Sequence, residues 1–359
     1  MVRKIVSTKN TSHKQSNARY SYIGLLKFFA AVGIVFLHSG KGDSHWGCLW
    51  ILVEFFFMLT GYFTYKHFQK DSKSIARDTL EQKSNKAIKY SISKFASFLP
   101  YMLIGVVAFY IAISLYELRH GIGAALSSLK TMPFDLLFLN SQLPRGNWAI
   151  WFISAMAIMF PIFCILCQTK RQKTLCAVML PFIITYFLRI YDDKIYGVYA
   201  YCRAFFGMSA GIYMSHMVDY IKTIKLSKSK TILLNIIELV ATIVAIICMY
   251  PGSKSIRVEF CKLFAILSIF VMLTLILSGK TLTSKIHNRL FDFLERISMV
   301  IYLTHVAVLW FTEIVLTSLN AMQYMRIACV TFSVLIAICT YVIVESITRI
   351  IRTRHAAEE

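Results

Sequence analysis

The stretch 22-YIGLLKFFAAVGIVFLHSG-40 decides how the rest of the chain is interpreted. It is apolar and close to the length of about 20 residues that a helix needs to cross a bilayer. Lys27 and His38 interrupt it eleven positions apart, which is about three helical turns, so both side chains project from one face, roughly 16 Å apart. Ionisable side chains in membrane helices are costly and face a protein interior by default. We therefore expect this face to line an enclosed functional space.

The composition indicates a polytopic helical membrane protein. Of the 359 residues, 57% are hydrophobic and 16% are charged, whereas a soluble domain is about 45–50% apolar and about 25% charged. Apolar runs of about 20 residues recur along the chain, and each is long enough to span a membrane. The predicted fold is an all-α bundle with ten crossings, at residues 20–39, 47–66, 90–116, 148–168, 174–191, 198–218, 231–250, 257–278, 296–318 and 325–345.

The net charge of +21 reflects topology rather than nucleic-acid binding. The basic residues concentrate in alternate connecting segments, namely the N-terminus, 66–94, 170–173, 222–230, 280–296 and the tail. By the positive-inside rule these segments and both termini are cytoplasmic. The excess charge is then available to anionic lipid head groups, and no nucleic-acid partner is expected.

The predicted domains are a basic cytoplasmic segment at 1–19, a transmembrane domain at 20–345 and a cytoplasmic tail at 346–359. The first apolar run follows the basic segment without a small-residue cleavage site, so we expect it to remain as a signal anchor. The external segment 117–147 is apolar in patches but too short to span, which predicts an interfacial or re-entrant piece. No loop is long enough for a soluble domain, so any chemistry is expected inside the bundle.

Glu54 is the first candidate partner for the two ionisable residues of crossing 1. It lies on descending crossing 2, at a depth between His38 and Lys27. The carboxylate would either orient the His38 imidazole and stabilise its protonated form, or form an ion pair with Lys27 that only satisfies two buried charges. Spacing alone leaves both interpretations open.

Crossings 4 and 6 carry further candidates. Trp151 in 147-NWAIWFISA-155 is typical of an interfacial tryptophan, and Ser154 of a packing hydroxyl, because no G-x-S-x-G elbow surrounds it. Arg203 in 201-YCRAFFGMSAG-211 either snorkels outward or binds an anionic or oxygen-rich substrate. Gly207 and Gly211 in the same stretch favour close helix packing.

Crossing 9 contains 298-SMVIYLTHVAV-308, in which Ser298, Tyr302 and His305 fall near one stripe. We expect His305 in the cytoplasmic half, at the depth of Lys27, either as a functional group or as a satisfied core histidine. No pair among the nine histidines has ligand spacing on one helix, so no metal site is predicted. The nine cysteines, including Cys164 and Cys167, lie in apolar runs and are interpreted as packing residues.

These motifs resemble those of the acyltransferase 3 family of membrane-integral O-acyltransferases. The family's G-L-R-x10-H helix is similar to 24-GLLKFFAAVGIVFLH-38, with Lys27 at the arginine position, and its acidic second-helix motif is similar to 53-VEFFFMLTGYF-63. Lys94 and Pro100 fit the third helix, where Ser97 stands at the position of a second base. The W-Y-(I/L)-S and Y-L-x-H signatures correspond to 151-WFIS-154 and 302-YLTH-305.

The resemblance implies acyl transfer from cytoplasmic acyl-CoA, acetyl-CoA in the first instance, to a hydroxyl of an extracytoplasmic carbohydrate such as a capsular, exopolysaccharide or cell-wall glycan. It implies no bound cofactor and a multi-pass location in the cell membrane, most naturally a bacterial plasma membrane. His38 would act as general base with Glu54 supporting its imidazolium. The donor would contact Lys27, Lys94, Tyr302 and His305, and the acceptor side would comprise Arg203, Trp151 and Ser154.

A second interpretation belongs to a different functional class. A non-catalytic membrane transporter or channel for a polar or anionic solute would also place Lys27, Glu54 and His305 along an internal pathway. Substitution of His38 separates the two, because a transporter would tolerate glutamine there with altered pH dependence, whereas a general-base enzyme would lose acyl transfer.

Overall fold

The structure is a computed structural model that describes residues 21–40, 46–70, 78–140, 146–169, 171–189, 197–250 and 256–358. The predicted segment 1–19 lies outside these residues. Every regular element in the described part is helical, and its twelve α-helices are α1 Ser21–His38, α2 Leu52–Lys70, α3 Leu80–Glu117, α4 Ile122–Ser128, α5 Met132–Leu136, α6 Trp151–Leu166, α7 Gln172–Arg189, α8 Val198–Thr223, α9 Lys228–Met249, α10 Ile256–Ser278, α11 Arg289–Ser318 and α12 Met325–Glu358.

The predicted all-α membrane bundle is confirmed. Within the described residues, eight helical segments are long and apolar enough to cross a membrane, and they contain α1, α2, α3, α6, α9, α10, α11 and α12. The two other predicted crossings correspond to α7 and α8, of which α7 has a shorter apolar stretch at Gln172–Thr185. The number of ten crossings and the cytoplasmic termini stay predictions.

Two helices begin well before the predicted crossings because their starts are capped. Thr79 and Gln82 form a reciprocal capping box at the start of α3, and the Asn288 side chain accepts a hydrogen bond from the Leu290 N–H at the start of α11. Such caps satisfy N–H groups that the first helical turn leaves unpaired. Hydropathy identifies only the lipid-embedded part of a helix, so α3 and α11 extend beyond the limits of 90 and 296 that it suggested.

The bundle is organised around α11 and the α2–α8 pair. Helix α11 packs against α1, α3 and α12, and α2 packs along α8. The buried apolar side chains form two hydrophobic clusters, and α1, α2 and α8 contribute residues to both. The external segment folds into α4 and α5, which contact α3.

Glycines allow the backbones of α2 and α8 to meet. A Cβ atom at Gly61 would lie 2.0 Å from the Met208 carbonyl oxygen, and one at Gly211 would lie 2.4 Å from the Met58 carbonyl oxygen. The predicted packing role of Gly211 is therefore confirmed. Small residues at such crossings replace side-chain packing by direct backbone contact, which is a common source of helix association in lipid.

We expect Gly61→Ala to destabilise the protein by about 1–3 kcal/mol, because the added methyl group can be accommodated only if α2 and α8 separate. Gly123→Ala is the matched control, since nothing lies within 4 Å of a Cβ atom at Gly123. Reversible unfolding of the purified protein in mixed micelles measures both. Equal stability of the two variants would contradict the close approach of α2 and α8.

Candidate active site

Two histidines from different helices stack on each other beside a tryptophan. The His38 ring at the end of α1 lies 5.5 Å from the His305 ring of α11, with an interplanar angle of 17°. The edge of Trp148 approaches the His38 ring at a centroid distance of 4.1 Å. Among the described residues, His38 has these two ring contacts and no hydrogen-bond partner. Its ring nitrogens are thus available to a ligand.

The tautomer of His305 is determined by its own helix. His305 Nδ1 lies 2.6 Å from the Tyr302 carbonyl oxygen, and because a carbonyl oxygen only accepts, Nδ1 carries the hydrogen. Nε2 is then the unprotonated nitrogen of the neutral ring, and this buried atom has no hydrogen-bond partner in the described part of the chain. Buried polar atoms without partners are rare and often mark functional positions.

The structure corrects the predicted depth of His305. We expected it at the depth of Lys27, and this is wrong, because its ring stacks on that of His38. The residue of α11 that contacts Lys27 is Glu295, ten positions earlier and thus about 15 Å away along the helix. The error followed from the start of α11 at Arg289, since the longer helix brings His305 deeper into the bundle.

Glu54 pairs with Arg203. Its Oε1 accepts hydrogen bonds from Arg203 Nε at 2.9 Å and Nη2 at 2.5 Å, and the two residues are 0% and 8% exposed. The sequence had suggested His38 or Lys27 as the partner of Glu54. Because α2 and α8 run side by side, Glu54 and Arg203 occupy the same level two turns from the glycine contact.

Tryptophans flank this ion pair. The Arg203 guanidinium lies 4.8 Å from the Trp50 ring centroid and 4.7 Å from that of Trp151, and the Lys262 ammonium lies 5.5 Å from Trp50. Contacts between cations and indole faces are favourable and strengthen where water is excluded. Trp151 is therefore a buried partner of Arg203, and the prediction of an ordinary interfacial tryptophan is wrong.

Lys27 forms an ion pair with Glu295 at the wall of a cavity of about 330 Å³. The cavity also receives the Lys94 side chain from α3. Its remaining lining is mostly aromatic and aliphatic, with hydroxyls from three helices, and comprises Phe56, Leu59, Thr60, Phe63, Thr64, Tyr90, Phe95, Ser97, Phe98, Phe152, Ile153, Met156, Phe160, Ser298 and Met299. Lys27 and Lys94 thus line the same cavity. That both contact the acyl donor stays a prediction.

Two aromatic rings separate this cavity from the histidines. Phe152 lines the cavity and its ring lies 5.6 Å from that of Tyr302, which in turn lies 5.7 Å from His305. The Tyr302 hydroxyl donates to the Ala149 carbonyl oxygen at 2.8 Å. This hydrogen bond fastens α11 to the start of α6 and so fixes Trp148 beside His38.

A buried carboxylate joins α5 to the residues that precede α6. Asp135 is 1% exposed and accepts hydrogen bonds from the Tyr110 hydroxyl, the Asn140 amide and the Asn147 backbone N–H, at 2.7, 2.5 and 2.7 Å. Burial raises the pKa of Asp135 above its usual value, against the opposing effect of these three donors. The next residue after Asn147 is Trp148, so this network positions the ring that contacts His38.

Ser154 belongs to the same network. Its hydroxyl oxygen accepts a hydrogen bond from the Asn140 backbone N–H at 3.1 Å, and the residue is completely buried. Asp135 and Glu295 were not among the residues singled out from the sequence, and Trp148 was interpreted only as an interfacial tryptophan. Asp135 and Glu295 were recognisable only as acidic residues near apolar segments, and nothing in their spacing indicated the partners that they contact.

No group of three or more histidine, cysteine or carboxylate side chains in the described residues is placed to hold a metal ion. The site instead contains two imidazoles and two ion pairs. They lie near a cavity that is lined by Phe152, and Tyr302 lies between Phe152 and His305. Such an arrangement can move a proton and bind a charged, elongated molecule. These are the features that a group-transfer reaction within a membrane requires.

The helical membrane bundle and this site define an integral membrane acyltransferase once the comparison with protein families is added. Residues 20–344, nearly the whole chain, match the family model described as an acyltransferase domain. The chain belongs to this family, the acyltransferase 3 family. Searches of curated proteins and of solved structures gave no match.

We expect Asp135→Ala to cost at least about 2 kcal/mol of folding free energy, because it leaves buried donors without an acceptor. Asp219→Ala is the control, since Asp219 forms an ion pair with Lys66 but its side chain is 52% exposed, and exposed pairs contribute at most about 1 kcal/mol. Unfolding in mixed micelles measures both variants. A smaller loss for Asp135→Ala than for Asp219→Ala would contradict the anchoring role.

Proposed function

We propose that this membrane acyltransferase transfers an acyl group, in the first instance acetyl, from cytoplasmic acyl-CoA to a hydroxyl of an extracytoplasmic carbohydrate. A capsular, exopolysaccharide or cell-wall glycan is the proposed acceptor, and a bacterial plasma membrane is the proposed location. The observation that carries the proposal is the His38–His305 pair, stacked at 5.5 Å beyond the end of a cavity that contains two lysines.

The cavity suits the pantetheine arm of the donor. It is narrow, mostly apolar and supplied with the Thr60, Thr64 and Ser298 hydroxyls, whose lone pairs can accept from amide N–H groups. Lys94, which lies 5.3 Å from the Tyr90 ring centroid, would meet the CoA phosphates. Lys27 would contact the donor arm deeper in the cavity or the negative charge that develops on the thioester oxygen.

His38 acts as the general base in this proposal. The acceptor oxygen attacks the thioester carbonyl carbon while a His38 ring nitrogen takes the hydroxyl proton. The tetrahedral intermediate then collapses, the C–S bond breaks, and the CoA sulfur leaves and receives the proton. His38 suits this role because its ring is held by Trp148 and His305 without a hydrogen bond to any described residue.

His305 and Tyr302 support the donor end of the reaction. His305 presents Nε2, which has no hydrogen-bond partner in the described part of the chain, beside His38, where it can accept a hydrogen bond from the acceptor hydroxyl. Tyr302 and Phe152 lie between the cavity and the histidines, so the thioester must displace Phe152 to reach His38. Tyr302 stays in place, because its hydroxyl donates a hydrogen bond to the Ala149 carbonyl oxygen.

The acceptor side is proposed around Arg203. An arginine between two tryptophans offers the flat faces and hydrogen-bond donors that sugars require, and Glu54 keeps the guanidinium in place. In this arrangement Glu54 acts on the acceptor side through Arg203 rather than directly on the His38 imidazolium. Ser154 contributes by holding the external segment, because its oxygen already accepts from Asn140.

The proposal predicts that His38→Ala lowers acyl transfer by about 100-fold or more, the usual contribution of a general base. The measurement is O-acylation of surface glycans, by mass spectrometry, in a deletion strain complemented with each variant. His305→Gln is expected to lower acylation as well. His120→Ala is the control, because His120 is exposed in the external segment.

Two outcomes would count against this assignment. Equal acylation with wild-type protein and His38→Ala would exclude His38 as the base, and full loss confined to His305→Gln would transfer that role to His305. An unchanged glycan in the deletion strain would contradict the carbohydrate acceptor itself.

The Lys27–Glu295 pair gives a separate prediction about the donor. Glu295→Lys places two cations together and is expected to destabilise the protein, whereas the exchange Lys27→Glu with Glu295→Lys restores opposite charges. We expect the exchanged variant to recover stability but to need at least about tenfold more acyl-CoA, because a carboxylate now replaces the donor-facing cation. Unfolding and the acyl-CoA dependence of glycan acylation in membrane vesicles measure the two effects. An unchanged acyl-CoA requirement would contradict donor binding by Lys27.

A further inference from the structure

A second cavity, of about 460 Å³, lies at the ends of α8 and α10 and before α11. Its lining differs from that of the donor cavity, because it contains no acidic and no apolar residue. It consists of Lys222, Ser278, Gly279, Lys280, Ser284, Lys285 and His287. None of these residues lines the donor cavity, so the two spaces are distinct.

The loop that forms this cavity is held from its other side. The Leu282 backbone N–H donates to the Asn235 side-chain oxygen of α9 at 2.8 Å, and the Thr283 hydroxyl donates to Glu238. The Ser278 side chain accepts the Lys280 backbone N–H at 3.2 Å. The loop is therefore fastened to α9 and α10 by these hydrogen bonds, which limits how far its basic side chains can move.

The basic side chains of the cavity converge from two parts of the sequence. Lys222 ends α8, whereas Lys280, Lys285 and His287 belong to the loop, and Lys280 Nζ also lies 3.4 Å from the Ile224 carbonyl oxygen. Both parts belong to basic segments that the positive-inside rule assigns to the cytoplasm. The three lysines concentrate positive charge around one polar hollow, and this charge favours an anion there.

We propose that this cavity is a binding site for a phosphate group, supplied by an anionic phospholipid of the cytoplasmic leaflet. Basic pockets between transmembrane helices on this side suit phospholipid head groups. The lipid source is favoured over the CoA phosphates because the cavity shares no residue with the donor cavity. The proposal is independent of acyl transfer, and its failure would leave the proposed function unaffected.

The test uses the full-length protein purified in neutral detergent. Phosphatidylglycerol or phosphatidylcholine is titrated into it, and the unfolding temperature and the lipid retained in native mass spectrometry are recorded. We expect phosphatidylglycerol to stabilise the wild-type protein more than phosphatidylcholine does. Lys280→Gln with Lys285→Gln should weaken the apparent phosphatidylglycerol affinity about tenfold or more, since each lysine near an anionic surface contributes on the order of one kcal/mol.

Arg349→Gln with Arg352→Gln is the charge-matched control, because both arginines are exposed on α12 and outside the cavity. It should change the affinity by about twofold or less. Lys280→Arg with Lys285→Arg should retain binding and shows that the loop still folds. Equal stabilisation of the wild-type protein by both lipids, or equal loss in both glutamine pairs, would overturn the proposal.

Adenosine 3′,5′-bisphosphate, which carries the phosphate chemistry of CoA without its pantetheine arm, distinguishes the two sources. No competition with phosphatidylglycerol supports the lipid. Competition that depends on Lys280 and Lys285 retains a phosphate site but contradicts the lipid as its source.

Discussion

A fully buried carboxylate in a membrane bundle requires a cation, and the pairing of Glu54 with Arg203 meets this requirement. Breaking such a pair on one side leaves a buried charge uncompensated, which costs far more than the pair itself contributes. The pair therefore fixes the relative position of α2 and α8. Gly61 and Gly211, two turns further along, let the same helices touch through their backbones. One ionic and one steric constraint thus determine how α2 and α8 lie against each other.

The other half of the site lies along α11. Glu295, Tyr302 and His305 lie within ten residues of one helix, about 15 Å from end to end. Lys27 meets the first and His38 stacks on the last, so α1 and α11 run beside each other in register. The spacing of eleven residues between Lys27 and His38 is nearly matched by the ten residues between Glu295 and His305 on the neighbouring helix. This match explains how one pair of helices reaches from the cavity beside Lys27 to the histidines.

Hydrophobic run length was sufficient to predict the fold class and the positions of the ten long helices, because lipid imposes both apolarity and helical hydrogen bonding on a spanning segment. It did not predict helix ends in water, as the caps at Thr79 and Asn288 show. The family motifs identified His38, Glu54, Trp151 and His305 individually. Their partners were not predictable, because contacts such as Glu54 with Arg203 depend on which helices are neighbours.

The polar network at Asp135 illustrates the same limit. In the sequence, Asp135 is a single acid in an apolar external patch, and its role exists only once Tyr110, Asn140 and Asn147 surround it. Sequence spacing does not indicate that Asp135, 12 residues before Asn147, accepts a hydrogen bond from the Asn147 backbone N–H.

The lysine at position 27 is best understood together with Glu295. An arginine forms two parallel hydrogen bonds to a carboxylate and is held rigidly by them, whereas a lysine is a compact charge on a flexible stem. Lys27 contacts Glu295 and also lies 5.7 Å from the Phe63 ring centroid, on the wall of the donor cavity. Its ammonium can therefore rotate away from the carboxylate without leaving the cavity. A lysine paired with a half-exposed carboxylate thus keeps the cavity wall neutral while its ammonium remains free to reorient.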